Sequence, residues 1–262
     1  MGLGWTELVA LVSAYGIAMV ATPAGISGAV LLLPFQVSVL GTPSPAVTPT
    51  NLLYNVVATP GALYRYWRQG QPGGRLALVL IAGTLPGVIA GSVIRVELLP
   101  GPRAFDLVVA GVLGPLGAWL IASRPVPRQP GALVPAIPRP VLVVLAAMVG
   151  CVGGIYGIGG GSVVAPILIG SGRHHAEVAP AALASTFVTS VAGVITFTIL
   201  ATRHHGPVAP DWPTGIALGL GGLAGAYTGA RLQSRLPDAL IRRLAGILVT
   251  AIAARYLWAG LS

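Results

Sequence analysis

The sequence predicts an all-α polytopic membrane protein with two inverted repeats of about five helical segments each. In each repeat, the first helix pair is expected to be broken or re-entrant. Hydrophobic residues make up 55% of the chain and charged residues only 8%, whereas a soluble domain carries roughly 25% charged residues. Several apolar runs reach the roughly 20 residues that a helix needs to cross a bilayer. A glycine-rich segment also occurs twice, at a constant offset of 132 residues.

The duplicated segment sets the organisation of the chain. Residues 157–166 align without a gap with residues 25–34, and both copies end in proline (Pro166 and Pro34). The chain is about twice as long as the offset, so we interpret it as one unit used twice. The first transmembrane repeat is then 1–122 and the second is 141–262. Residues 123–140 are rich in proline and are predicted to form an extended cytoplasmic linker.

Five apolar segments are predicted in the first half. They run from Trp5 to Ala21, Ile26 to Leu40, Val47 to Trp67, Leu76 to Ile94 and Ala104 to Ile121. A proline followed by a glycine interrupts a helix. The first two segments are therefore separated by a break at residues 22–25 and not by a loop.

The second half predicts the same plan, with the break at the glycine cluster 153–161. Its segments run from Val141 to Tyr156, Ser162 to Ile169, Val178 to Ala201, Thr214 to Ala230 and Ala239 to Trp258. Each half also has three glycines spaced four residues apart, which lets helices approach closely in lipid. We assign a packing role to these six, Gly83, Gly87, Gly91, Gly221, Gly225 and Gly229.

The arginines predict the orientation in the membrane. If each broken pair makes an even number of crossings, eleven arginines fall on one side and four on the other. If it makes a single crossing, the split is eight against seven. The positive-inside rule favours the first count. The halves are then inverted, and both termini lie outside the cytoplasm. The four extracytoplasmic arginines are Arg95, Arg103, Arg203 and Arg255.

The two breaks are candidate anion sites. A helix that starts inside the membrane presents free N–H groups and a positive dipole end to a solute. Glycine allows close approach to the main chain. The candidate substrate-binding residues at the breaks are Gly25, Ser27, Gly28, Gly157, Gly159, Gly160, Gly161 and Ser162. Tight helix packing alone is the other interpretation of the glycines, and the duplication of the break favours the binding site.

Polar side chains recur in the third segment of each half. Asn51, Ser185 and Thr186 are further candidates for substrate binding, because neutral hydrogen-bonding groups in an apolar stretch need partners. Weaker candidates are Gln36, Thr50, Tyr54 and Asn55. We assign Thr189 and Ser190 to interhelical hydrogen bonds or to bonds with their own helix.

Catalytic chemistry is not predicted. All six carboxylates fall near segment ends, and no nucleophile with a matching base is evident. The paired histidines at 174–175 and 204–205 supply too few ligands for a metal site. We therefore expect no enzyme activity, no metal and no cofactor. The net charge of +9 comes from dispersed arginines, which we interpret as topology determinants and not as a nucleic-acid surface.

These motifs resemble the TauE/SafE family of sulfite exporters, also called the TSUP group. The resemblance covers about Val9 to Trp258 and rests on the segment from Gly153 to Pro166, on its first-half copy, and on the Ser185-Thr186 region with its counterpart. The first-half copy departs from the glycine-rich form at Ser27 and Ala29. The resemblance implies export of sulfite, or of organosulfonates such as sulfoacetate, across the inner membrane.

The expected function is therefore a secondary transporter for a small sulfur-containing oxyanion, working by alternating access in the cytoplasmic membrane. Two alternatives are a passive anion channel of the same fold and a non-transporting membrane subunit. The partners are the anion and the lipid bilayer. The sequence leaves open the oligomeric state and the coupling ion, with the proton as one option.

Overall fold

The structure is a computed structural model. It describes residues 4–22, 27–68, 70, 73–99, 101–122, 138–170, 175–232 and 238–261. Within these ranges the chain forms ten α-helices and no β-strand. The helices are α1 (Trp5–Ala21), α2 (Gly28–Ser38), α3 (Val47–Arg68), α4 (Gly74–Glu97), α5 (Pro102–Ala122), α6 (Arg139–Tyr156), α7 (Gly161–Gly170), α8 (His175–Ala201), α9 (Trp212–Leu232) and α10 (Asp238–Leu261).

All ten predicted segments are confirmed as helices, and their ends differ from the predicted ones by at most three residues. The predicted linker 123–140 was too long at its end, because α6 already begins at Arg139. Pro140 fits there, since the first turn of a helix leaves its N–H groups without intrahelical partners. Residues 123–137 of that linker, and Gly25 with the rest of 23–26, lie outside the described residues.

One interruption separates the first two helices of each half, α1 from α2 and α6 from α7. The first interruption lies between the end of α1 at Ala21 and the start of α2 at Gly28. Ser27 is the N-cap of α2, and its Oγ accepts a hydrogen bond from the Ala29 N–H at 3.3 Å. The second interruption comprises residues 157–160. Gly157 ends α6 in the left-handed conformation, at φ 84°, and its N–H donates to Gly153 O. That conformation favours glycine at the end of a helix.

The long helices pack mainly against helices of the other half. Helix α4 contacts α6 and α8, α9 contacts α1 and α3, α3 contacts α8, and α5 contacts α10. The short helix α2 lies against α1 and α3, and α7 lies against α6 and α8. The second interruption is contacted by α3, α4 and α8, and Ser27 at the start of α2 is contacted by α3.

The glycine rows of α4 and α9 sit against helix backbones, as predicted. A Cβ at Gly87 would overlap Ala147 O of α6, and one at Gly225 would overlap Tyr15 O of α1. Their neighbours in the same rows meet the same two helices, at Val143, Ala146 and Cys151 of α6 and at Leu11 and Met19 of α1. The packing role of all six glycines is confirmed.

The described residues include two helices that are long and apolar enough to cross a membrane, α4 and the stretch Glu177–Ala201 of α8. Shorter apolar helices accompany them at Trp5–Ala21, Gly28–Ser38 and Pro140–Tyr156. Large apolar side chains face outward, among them Leu78, Met148 and Ile195, each more than half exposed. An exposed surface of this kind is typical of a chain that contacts lipid.

Candidate functional site

The two interruptions meet at the side chain of Asn55, which is 2% exposed. Ser27 Oγ, at the start of α2, donates to Asn55 Oδ1 at 3.4 Å. Asn55 Nδ2 donates to the carbonyl oxygen of Gly157, at the end of α6, at 3.5 Å. The Tyr156 hydroxyl adds a hydrogen bond of 2.8 Å to Val30 O. The end of α6 and the start of α2 are thus adjacent in space.

Asn51, one turn before Asn55 on α3, holds the other side of this junction. Its Nδ2 donates to Ala29 O at 2.9 Å, and its Oδ1 accepts from Gln36 Nε2 at 3.0 Å. Gln36 is fully buried, and its Oε1 has no hydrogen-bond partner among the described residues. The structure therefore brings Asn51 and Asn55 of α3 to α2. It leaves Gln36 Oε1, on α2 itself, as a buried acceptor without a partner among the described residues.

The second interruption is lined by hydroxyl groups of α8. The Gly160 N–H donates to Thr189 Oγ1 at 3.1 Å. Gly159 has φ 72°, and a Cβ there would lie 2.9 Å from Ser190 Oγ. A Cβ at Gly161 would lie 2.6 Å from Thr186 Oγ1. Side chains at Gly159 and Gly161 would displace the Ser190 and Thr186 hydroxyls, so glycine is what allows these hydroxyls to reach the main chain.

Matching contacts surround the first interruption. Three contacts between residues 159–161 and α8 have counterparts between the start of α2 and α3, at offsets of 132 and 135 residues. The pairs are Ser27–Asn55 and Gly159–Ser190, Gly28–Tyr54 and Gly160–Thr189, and Ala29–Asn51 and Gly161–Thr186. The same three positions of the repeated segment are thus contacted by the same three positions of the third helix in each half.

Helix α4 supplies a side chain that the sequence analysis did not identify. The fully buried Thr84 fills the space beside Gly160, and its hydroxyl lies 2.8 Å from Ser185 Oγ. At the corresponding place beside the first interruption, α9 has Gly222, 138 residues after Thr84 in the chain. The Tyr54 ring packs against it, with its hydroxyl beside Gly28. At the first interruption, Tyr54 of α3 and Gly222 of α9 therefore occupy the places that Thr189 of α8 and Thr84 of α4 occupy at the second.

Ser190 is the second buried group without a partner. Its side chain is fully buried, and Oγ makes no hydrogen bond with any described residue. Leaving such a group unsatisfied costs roughly 1–3 kcal/mol. This hydroxyl faces Gly159 in the second interruption. It is a buried hydroxyl without a partner beside the second interruption.

Other predicted residues have partners elsewhere. The Thr50 hydroxyl donates to Ala46 O and accepts from the Asp211 N–H, so it joins α3 to the residues before α9. Ser162 Oγ donates to Ile158 O at 2.7 Å, within the second interruption. Thr189 makes the bond to its own helix that was predicted, to Ser185 O, together with the contact to Gly160.

Arg95 differs from its sequence-based interpretation. It was counted among the arginines of the membrane surface, but the structure buries it fully, at the end of α4. Its guanidinium lies 4.1 Å from the centroid of the Phe105 ring at the start of α5. The aromatic face and the surrounding acceptors take the place of water, which is why an arginine is tolerated there.

The hydrogen-bonding side chains at both interruptions are neutral, and each interruption precedes a helix N-terminus. Such a terminus attracts anions through its free N–H groups and its dipole. Interrupted helices with neutral donors, in an all-helical chain with apolar spans, define a membrane transporter. The chain belongs to the sulfite exporter TauE/SafE family, whose model matches residues 10–256.

The similar curated proteins agree with this class. The chain is 26% identical over 248 residues to a "Probable membrane transporter protein" of Xylella fastidiosa strain 9a5c, covering 89% of this chain and 88% of that protein. It is 27% identical over 247 residues to a protein of the same description from strain Temecula1, with the same coverage. No solved structure is significantly similar to the chain. The resemblance seen in the sequence is confirmed: the protein is of a transporter family and is not an enzyme.

Proposed function

We propose that this protein is a secondary transporter that exports a small sulfur-containing oxyanion, sulfite or an organosulfonate such as sulfoacetate, across the cytoplasmic membrane. The observation that carries the proposal is the convergence of both interruptions on Asn55. The start of α2 and the end of α6 meet at this amide, so groups of both halves lie together beside a helix N-terminus, which favours an anion. The family description supports sulfite as the cargo.

The described conformation is proposed to be a closed, empty one, in which the second interruption has no room for the anion. Gly157 to Gly161 are buried, and Thr189 occupies the Gly160 N–H. For the anion to bind, α7 has to move away from α8 so that the oxyanion replaces the Thr189 hydroxyl as acceptor. Gly157 and Gly159, both at positive φ, are the proposed hinges of this movement.

Alternating access would follow from inverted repeats. The paired contacts at the two interruptions support a two-fold relation between 1–122 and 141–262, and so does the packing of α4 on α6 and of α9 on α1. In such an arrangement, opening the contacts of one half while the other stays closed exposes the anion to one side only. The proton is the proposed coupling ion, and both termini are proposed to lie outside the cytoplasm.

Transport by the purified protein in proteoliposomes tests this proposal. We expect saturable flux of labelled sulfite or sulfoacetate that is stimulated by the same anion on the opposite side and altered by an imposed pH gradient. Flux that neither saturates nor responds to the opposite side would identify a passive channel. If neither anion binds the purified protein in calorimetry, the assignment of the substrate is wrong.

A further inference from the structure

Arg95 combines full burial with neutral surroundings. Its Nε donates to Thr48 Oγ1 at 3.3 Å, while Nη1 donates to Leu99 O and Nη2 to Ser44 Oγ. The plane of the guanidinium lies near the Phe105 ring. Every acceptor is therefore a hydroxyl or a carbonyl oxygen, and a guanidinium has more N–H donors than these contacts use.

The charge of Arg95 has no carboxylate in direct contact. Among the described residues, no carboxylate oxygen lies within 4.0 Å of the guanidinium. The half-buried Asp106 is near enough for its charge to act on Arg95, but does not form an ion pair with it. A buried charge without a paired counter-charge is costly. An ionisable residue inside a membrane protein marks a functional site more often than a structural one.

One hydroxyl connects Arg95 to the second interruption. Thr48 Oγ1, which accepts from Arg95 Nε, donates in turn to Ile155 O at 3.1 Å in the last turn of α6. The Thr48 carbonyl oxygen lies against Gly157, where it leaves no room for a Cβ. The guanidinium is thus one residue away from the main chain at which α6 ends.

We propose that Arg95 binds the transported anion at one end of its path, as the fixed positive charge that the interruptions themselves lack. The ligand is a small oxyanion. Its oxygens would replace Ser44 and Leu99 as acceptors of the two Nη groups, in the two-point geometry that a guanidinium favours. Nε would remain on Thr48, so the bound anion lies beside the end of α6. This proposal rests on the proposed transport function and adds a residue to it.

Thermal unfolding of the purified protein in detergent, titrated with sulfite, tests the proposal without requiring transport. We compare wild type, Arg95→Gln and Arg95→Lys with Arg203→Gln, which removes the same charge from an exposed arginine. Sulfite is expected to stabilise wild type and Arg203→Gln equally. Loss of charge-assisted contacts is expected to weaken the apparent affinity roughly tenfold or more in Arg95→Gln.

Several outcomes would overturn the proposal. One is an Arg95→Gln protein that unfolds earlier but keeps the wild-type affinity for sulfite, since Arg95 would then only hold the fold together. Another is a wild type that sulfite does not stabilise. If Arg95→Gln cannot be purified, Arg95→Lys is the test. Lysine keeps the charge but cannot make the two-point contact of a guanidinium, so an affinity for sulfite equal to that of wild type contradicts the proposal.

A lipid phosphate is the other source of such an anion. Stabilisation that depends on Arg95 and requires phosphatidylglycerol, but does not occur with sulfite, would identify a lipid site and overturn the proposal. If sulfite binds in an Arg95-dependent way while proteoliposomes show no sulfite flux, the anion site stands and the proposed export is wrong.

Discussion

Asn55 Nδ2 donates to the carbonyl oxygen of Gly157, although the two residues are 102 positions apart in the chain. The same carboxamide accepts from Ser27. A residue of α3 therefore fixes the distance between the start of α2 and the end of α6. A change at Asn55 acts on both interruptions at once, which separates it from changes that affect one half only.

Replacing Asn55 by aspartate tests whether the junction handles an anion. The carboxylate has the shape of the amide but loses the donor to Gly157 and places a negative charge between the start of α2 and the carbonyl oxygen of Gly157 at the end of α6. We expect sulfite flux in proteoliposomes to fall to background in Asn55→Asp. Asn55→Ala removes the same donor without adding charge and is expected to retain measurable flux. Equal flux in the two variants would contradict an electrostatic role for this position.

Ser190→Ala is expected to change stability and affinity in opposite directions. Removing a buried hydroxyl that has no partner should leave the unfolding midpoint unchanged or higher, because about 1–3 kcal/mol of unsatisfied desolvation disappears. The affinity for sulfite should nevertheless fall, since a donor facing Gly159 is lost. Thermal unfolding and calorimetry on the same preparation measure both effects.

Ser92→Ala is the matched control for Ser190→Ala. Ser92 is also fully buried, but its hydroxyl donates to Val88 O at 2.8 Å. Its removal should cost about 1 kcal/mol of stability and leave sulfite affinity unchanged. The Ser190 interpretation is wrong if the two variants behave alike.

The glycine rows predict a strong dependence of stability on single methyl groups. Gly87→Ala and Gly225→Ala each place a Cβ on a backbone carbonyl of the neighbouring helix. Overpacking of this kind costs typically 1–3 kcal/mol, so both variants should lose folded protein at lower temperatures than wild type. Gly114→Ala on α5 meets nothing within 4 Å, and its unfolding midpoint should match or exceed that of wild type. Tolerance of all three would refute the close packing.

Cysteine labelling tests the predicted inversion of the halves. In a Cys151→Ala background, Trp67→Cys reports on the last turn of α3, and His205→Cys reports on the residues just after α8. Both positions are exposed. In intact spheroplasts, a membrane-impermeant maleimide should label His205→Cys and spare Trp67→Cys until the membrane is opened. Labelling of both from the same side would rule out inverted halves.

Most of the helices were predictable, because apolar runs bounded by proline and glycine mark their ends. Asn51 was predictable as well, since a lone amide in an apolar stretch needs a partner. Thr189 and Ser190 were assigned to ordinary hydrogen bonding because a hydroxyl in an apolar helix can always bond to its own backbone. Their contact with the interruption depends on the packing of α7 on α8, which the local sequence does not encode. The 135-residue offset to Tyr54 and Asn55 was the available signal.

Arg95 was not predictable for a different reason. An arginine near the end of an apolar segment usually extends its charged group to the membrane surface. Here the residues that hold it, Ser44 and Leu99, come from connections before α3 and after α4. No periodicity in the sequence brings these connections together.

The packing of α4 on α6 and of α9 on α1 has a consequence for how the chain can be divided. The fourth helix of each half packs against the first helix of the other half, α4 on α6 and α9 on α1. Neither half therefore contains the helix backbone that its own row of glycines contacts. A gene cut between codons 122 and 138 should yield two polypeptides that are degraded when made singly and that rescue each other when made together. The two halves are therefore expected to depend on each other for folding, as the subunits of an obligate heterodimer do.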